Sequence, residues 1–202
     1  TMIRPKYNQL ISERIKRFQE GDVFITSDFS DVATVSAINM SLSRLLAEKK
    51  IRRIIRGIYE KPKYNRMLKE YVTPDIEKVA SAIARNYNWS IAPSGETALN
   101  LLKISTQIPA IWSYVSDGPY KEYEYDGIKI KFKHAAQKET SGLSYMTALI
   151  IQGIKAIGKE NISKKEINKI KSILLEKDKR SIVMEAHGTT AWIYEVIKKV
   201  TE

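Results

Sequence analysis

The amino-acid sequence predicts an α+β protein, with an N-terminal winged helix-turn-helix followed by a mixed α/β C-terminal domain of a small sheet and helices. Three observations predict it. Within residues 21–61 a short apolar run (VFI), a helical segment (ATVSAINMSLSRLLAEKK) and a basic hairpin (IRRIIRGIYEK) follow one another, the order of parts in a winged helix. Further on, Asp126-Gly127 joins two alternating runs, a strong signal for a tight hairpin. After Thr140 the chain turns helical, with apolar residues at helical spacing. The expected domains are residues 1–70 and 71–202.

The elements follow in order. Residues 7–18 place Leu10, Ile11, Ile15 and Phe18 on one helical face, and Gly21 ends that helix with a left-handed cap. Val23, Phe24 and Ile25 are a β-branched and aromatic run, a first strand, and Thr26 or Ser27 caps a brief helix starting near Asp28. Residues 34–48 form the next helix, with Val35, Ile38, Leu42, Leu45 and Leu46 on its buried face. The opposite face carries Thr34, Ser36, Asn39, Met40, Ser43 and Arg44. Short hydrogen-bonding side chains with one long donor suit close approach to base edges in a major groove, whereas a merely solvated face usually holds more Glu and Lys. Residues 51–55 and 57–60 read as two strands around Arg56-Gly57, a wing whose Arg52, Arg53 and Arg56 would meet phosphate or the minor groove.

Residues 62–74 read as a linker or short helix carrying Lys63, Arg66 and Lys69. A further helix runs over 75–86, with Ile76, Val79, Ala80, Ile83 and Ala84 buried. Next comes a short strand joined to a helix through Pro93-Ser94-Gly95-Glu96, where Ser94 is expected as the cap. Residues 111–115 read as a strand, and 120–125 and 128–134 as the hairpin. Residues 144–157 form a buried helix. Residues 163–176 form another that opens with a capping box, Ser163 and Glu166, and the last helix covers 189–199.

The formal charge is +11, from 34 Lys+Arg and 23 Asp+Glu, and residues 1–70 hold 15 of the basic side chains against 8 acidic. Such an excess attracts polyanions by counterion release without reading sequence. No apolar run reaches the ~18 residues of a membrane span, and the N-terminal stretch TMIRPKYNQLISERIKR has no signal-peptide pattern, so a cytoplasmic protein without a membrane partner is expected. With no cysteine and two histidines, thiolate metal sites are excluded and no metal or cofactor is expected.

Phosphate-loop, dinucleotide, zinc-protease and nucleophile-elbow motifs are absent, and no enzyme activity is expected. One alternative stands: Asp117, Glu122, Glu124 and Asp126 followed by Lys129 and Lys131 carry the residue types of a metal-dependent nuclease. Alternation of this kind is also what a half-exposed hairpin shows. Asn39, Ser43 and Arg44 are the expected base readers, with Thr34 and Ser36 toward phosphate or base. Lys50, Arg52, Arg53 and Arg56 would hold the DNA backbone.

Several stretches resemble the DUF6088 proteins, relatives of the AbiEi antitoxins of type IV toxin–antitoxin systems. They are Pro93-Ser94-Gly95-Glu96 with Ala98, Leu99, Asn100, Leu101 and Leu102, then Ser105-Thr106-Gln107-Ile108-Pro109, Asp117-Gly118, Phe132 with His134, Arg56-Gly57-Ile58-Tyr59, and Ala191-Trp192. Thr97 stands where a larger residue is common in the family. The resemblance implies a winged helix that binds an inverted-repeat operator in double-stranded DNA and represses its own operon. It also implies an antitoxin domain, with Pro93, Ser94, Gly95, Ser105, Thr106, Gln107 and His134 as its motif. That domain would counteract a nucleotidyltransferase-like toxin without forming a stable complex with it.

Overall fold

The computed structural model describes residues 7–202, so Thr1 to Lys6 of the stretch read for a signal peptide lie outside the described residues. The architecture is α+β, with eight α-helices and three small sheets among the described residues. The chain divides into two compact units, Thr1–Asn88 and Trp89–Glu202.

The first unit begins with α1 (Tyr7–Arg17), β1 (Val23–Ile25), a short 3-10 helix (Thr26–Phe29) and α2 (Val35–Ala47), followed by β2 (Arg52–Ile55) and β3 (Ile58–Glu60). Strand order is β1-β3-β2, antiparallel throughout. Ile11, Ile15, Phe24, Phe29, Ile38, Leu42, Leu45 and Ile51 form the core beneath it. Each such side chain contributes roughly 1.5–3 kcal/mol by leaving water. The buried face of α2 differs from expectation at two positions. Val35, the first residue of α2, is 64% exposed. Ser41 is buried in its place, and its hydroxyl bonds Asn8 of α1 and the Ala37 carbonyl.

Residues 62–74 are neither linker nor helix. They form a hairpin of β4 (Tyr64–Asn65) and β5 (Glu70–Tyr71). Asn65 Oδ1 accepts from the backbone N–H of Met67 and Leu68 at 3.0 and 3.1 Å, an Asx turn that fixes the tip. The Tyr64 and Tyr71 rings meet edge to face across it. Next comes α3 (Ile76–Tyr87), capped by Asp75, whose carboxylate accepts from the Glu77 and Lys78 N–H groups. This helix packs on β1 and β3, and ion pairs at 3.0 Å join its Lys78 to Asp22, just before β1, and its Arg85 to Asp28 of the 3-10 helix. Helix α3 belongs to the first unit, which extends to Asn88.

The second unit holds β6 (Ile91–Pro93), α4 (Gly95–Leu101), β7 (Trp112–Ser116), β8 (Lys121–Tyr125) and β9 (Ile128–His134). Its sheet order is β6-β7-β9-β8, with only the β7–β9 pair parallel among the described strands. Asp126 and Gly127 both take positive φ, 47° and 77°, as a two-residue hairpin turn with the right twist requires. Helices α5 (Tyr145–Ile157), α6 (Lys164–Ile173), α7 (Glu176–Ala186) and α8 (Ala191–Thr201) complete the unit around Leu102, Ile150, Ile154, Ile170, Ile182 and Ile197. The Ser163–Glu166 capping box is present. Helix α6 ends at Ile173, short of the expected 176, because Leu174 and Leu175 adopt extended backbone, and α7 follows as a separate helix. No helix among the described residues is long and apolar enough to cross a membrane.

Candidate nucleic-acid interface

Thr34 caps α2, its hydroxyl accepting from the Ala37 N–H at 3.3 Å. From that cap the helix presents Ser36, Asn39, Met40 and Ser43 in one exposed row at three- and four-residue spacing, with Arg44 beside them. Val35 and Met40 are its apolar members, 64% and 72% exposed. Thr26 Oγ1 donates to Asn39 Oδ1 at 3.3 Å, which orients the amide. At the far end of α2, Lys50 pairs with Glu48 at 2.6 Å, and Arg44 lies 4.0 Å from the same carboxylate. The Lys50 hydrogen bond holds the Glu48 carboxyl below the usual carboxylate range. Pairs this exposed are worth little in water, so a phosphate oxygen can displace Glu48 at low cost.

The β2–β3 hairpin stands next to that end. Arg53 and Arg56 are exposed on it. Arg52 has a different place. Its guanidinium lies 3.2 Å from Glu60, a carboxylate only 1% exposed, and 4.6 Å from the centre of the Tyr71 ring. Arg52 is thus held by the buried Glu60 carboxylate, while its side chain stays 28% exposed and borders the same surface as Arg53. Lys49, which sequence reasoning passed over, shares a surface depression of about 400 Å³ with Leu46, Arg53 and Tyr71. Its positive φ of 57° marks the sharp exit from α2, a feature the sequence did not signal.

In the second unit the motif residues do not gather into one pocket. Pro93 pairs with Tyr114, and the Ser94 N–H donates to the Ser113 carbonyl at 3.0 Å. Ser94 stands at the N-cap position of α4, but its hydroxyl makes no capping bond there. The loop Ser105-Thr106-Gln107 lies beyond the other end of α4. There the Gln107 N–H donates to Ser105 Oγ at 3.2 Å, and Asn100 Nδ2 donates to the Gln107 carbonyl at 2.9 Å. His134 is level with Ser116, at the opposite end of β7 from Ser113. Thr97 is fully buried, and its hydroxyl accepts the Ser113 N–H at 2.7 Å, a bond a larger apolar residue would not make.

A second group of motif residues does come together. Asp117 accepts from the Ser90 N–H at 2.8 Å, the Gly118 N–H donates to Ser116 Oγ at 2.9 Å, and His134 Nδ1 lies 2.9 Å from the Gly118 carbonyl. Trp89 packs on Phe132 and leaves room at Gly118 for hydrogen alone. These contacts tie the sheet's edge loop to its strands.

Among the described residues no cluster of three or more His, Cys, Asp or Glu could hold a metal. Glu122 and Glu124 share an exposed face and stand opposite Lys131 and Lys129, a charge-paired hairpin. Asp117, Glu122, Glu124 and Asp126 form no such cluster of three among the described residues.

No protein of curated function matches the chain. A family model does match it, over residues 10–182 and so across both units, and the chain belongs to that family, DUF6088, a family of unknown function.

Proposed function

We propose that the first unit is a winged helix-turn-helix that reads double-stranded DNA, that the protein represses its own operon, and that the second unit is an AbiEi-like antitoxin domain acting against a nucleotidyltransferase-like toxin. One observation carries the DNA reading. A solvent-facing helix surface of short polar side chains (Thr34, Ser36, Asn39, Ser43) and Arg44 ends beside exposed Lys49, Lys50 and Arg53, and Arg56 is exposed at the turn of the β2–β3 hairpin. Short side chains permit close approach to base edges, and the cations at the end of the helix match phosphate. The surrounding unit is basic, with 17 Lys+Arg against 10 Asp+Glu over residues 1–88. The antitoxin role rests on the resemblance of the motif residues and on a second unit with a hydrophobic core of its own.

The test is binding of the full chain to a labelled duplex of its own upstream region across a salt series. Arg44→Ala is expected to cost roughly 1–3 kcal/mol and to relax one base position. Arg53→Ala is expected to weaken binding to every sequence and to lower the salt slope by about 1. Equal, sequence-independent losses for both variants would refute the division between reading and gripping. No shift at low ionic strength would end the DNA reading altogether.

A further inference from the structure

The β4–β5 hairpin is unused by the reading above, and it is built unlike a passive loop. Its four-residue tip is Arg66-Met67-Leu68-Lys69. Met67 is 94% exposed and Leu68 66%, two large apolar side chains pushed into solvent side by side. The tip is held rigid by the two bonds to Asn65 Oδ1 and by a left-handed Lys69 at φ 53°. Its base is anchored twice, by the Tyr64–Tyr71 ring contact and by Arg52 lying over Tyr71. Through Tyr71 the hairpin borders the same depression as Lys49 and Arg53. Lys63, Arg66 and Lys69 give it three exposed cations, against one acid, Glu70.

Apolar tips flanked by cations fit one surface better than others. Proteins that bend DNA push Met, Leu or Phe between base steps from the minor groove while Lys and Arg hold the flanking phosphates. A second copy of the chain fits poorly. Two-fold contact of the tip with itself would set Arg66 and Lys69 against their own counterparts, like charges in the same interface. We propose that this hairpin is a second DNA-contacting element whose Met67 and Leu68 wedge a minor-groove base step and bend the duplex, with Lys63, Arg66 and Lys69 on the adjoining phosphates. The proposal rests on the DNA-reading role of the first unit.

The experiment uses the full chain and a duplex of its own upstream region labelled at both ends for energy transfer. Wild type is expected to shorten the end-to-end distance, as a kink of roughly 20–90° does. Met67→Ser/Leu68→Ser, at positions that support no packing, is expected to abolish the shortening and keep the wild-type salt slope. Arg66→Ala/Lys69→Ala is expected to lower that slope by about 2. Asn65→Ala leaves the wedge residues in place but frees the tip, and is expected to reduce the bend. If wild type binds and Met67→Ser/Leu68→Ser bends the duplex equally, the wedge is overturned while DNA reading stands. A wild-type dimer that the same variant dissociates without DNA overturns it in favour of a protein contact. If wild type binds no duplex, both readings fail.

Discussion

Arg52 and Arg53 are adjacent, identical and on one strand, and the pleat gives them opposite fates. Arg53 stands level with Tyr59 and points to solvent, whereas Arg52 stands level with Glu60, whose carboxylate is buried. A buried acid needs its cation far more than a surface lysine needs its partner, because removing one member strands a desolvated charge. Arg52→Met is therefore expected to destabilise the first unit by roughly 3 kcal/mol, the low end for such pairs because Arg52 keeps some solvent contact. DNA affinity is expected to fall with stability while the salt slope stays at the wild-type value. Denaturant unfolding and a salt series on the same variant read both quantities. A slope lowered by about 1 with unchanged stability would return Arg52 to the phosphate contacts. Sequence alone could not separate these two arginines, since the distinction depends on which neighbouring strand position carries the acid.

Among the elements, Gly118 and Glu185 give the sharpest tests. A β-carbon at Gly118 would lie 2.3 Å from Trp89 Nε1 and 2.4 Å from Cε2, and the indole is held in place against Phe132. Gly118→Ala is expected to cost roughly 1–3 kcal/mol by overpacking, read as a lower denaturation midpoint for the second unit. The start of α5 is held by Glu185 of α7, which accepts from the Ser144 N–H at 2.7 Å, the Ser144 hydroxyl at 2.9 Å and the Thr147 hydroxyl at 2.5 Å. Partial burial pushes the Glu185 carboxyl up, but these bonds outweigh it and hold the group below the usual range. A folded pKa below the unfolded one gives stability that is complete above the ordinary glutamate value, about 4.3, and is lost as pH falls through the lower folded value. The stability gap between wild type and Glu185→Gln is expected to be widest near neutrality and to narrow below about pH 4; a constant gap would disprove the linkage. These two elements also mark how far the sequence could be read. The Asp126-Gly127 hairpin, the Ser163 capping box and the α2 periodicity were legible because each is a local pattern of dihedral or spacing. The β4–β5 hairpin was not, because Asn65 shapes it through a side-chain bond with no apolar alternation to announce it. Helix α7 was missed because its sequence, EKDKRSIVMEA, is mostly charged and its boundary is set by two extended leucines. On the candidate interface, helical spacing was enough to put Ser36, Asn39, Met40, Ser43 and Arg44 on the exposed side of α2 but also buried Val35, whereas Lys49 owes its place to a backbone turn.

At the scale of the whole molecule, the chain divides into two units of unequal charge. The first unit carries a balance of +7 and the second, with 17 basic and 13 acidic side chains, only +4. The core of Ile11, Phe24, Phe29, Ile38 and Leu42 lies wholly in the first, and that of Leu102, Ile150, Ile154, Ile170 and Ile197 wholly in the second. Each unit thus holds a hydrophobic cluster of its own. A charge-driven function should then travel with residues 1–88, and a function that opposes a partner enzyme with residues 89–202. Expressed separately, 1–88 is expected to bind the upstream duplex with the salt slope of the full chain, and 89–202 to leave it unshifted. If two copies meet on a palindrome, the isolated first unit shows whether their contact lies within it: unchanged cooperativity places the contact in 1–88, and its loss places the contact in 89–202. Co-expression of 89–202 with a nucleotidyltransferase-like toxin is expected to restore growth without the first unit. Restoration only by the full chain would mean that protection acts through transcription, and the second unit would then lose its proposed antitoxin role.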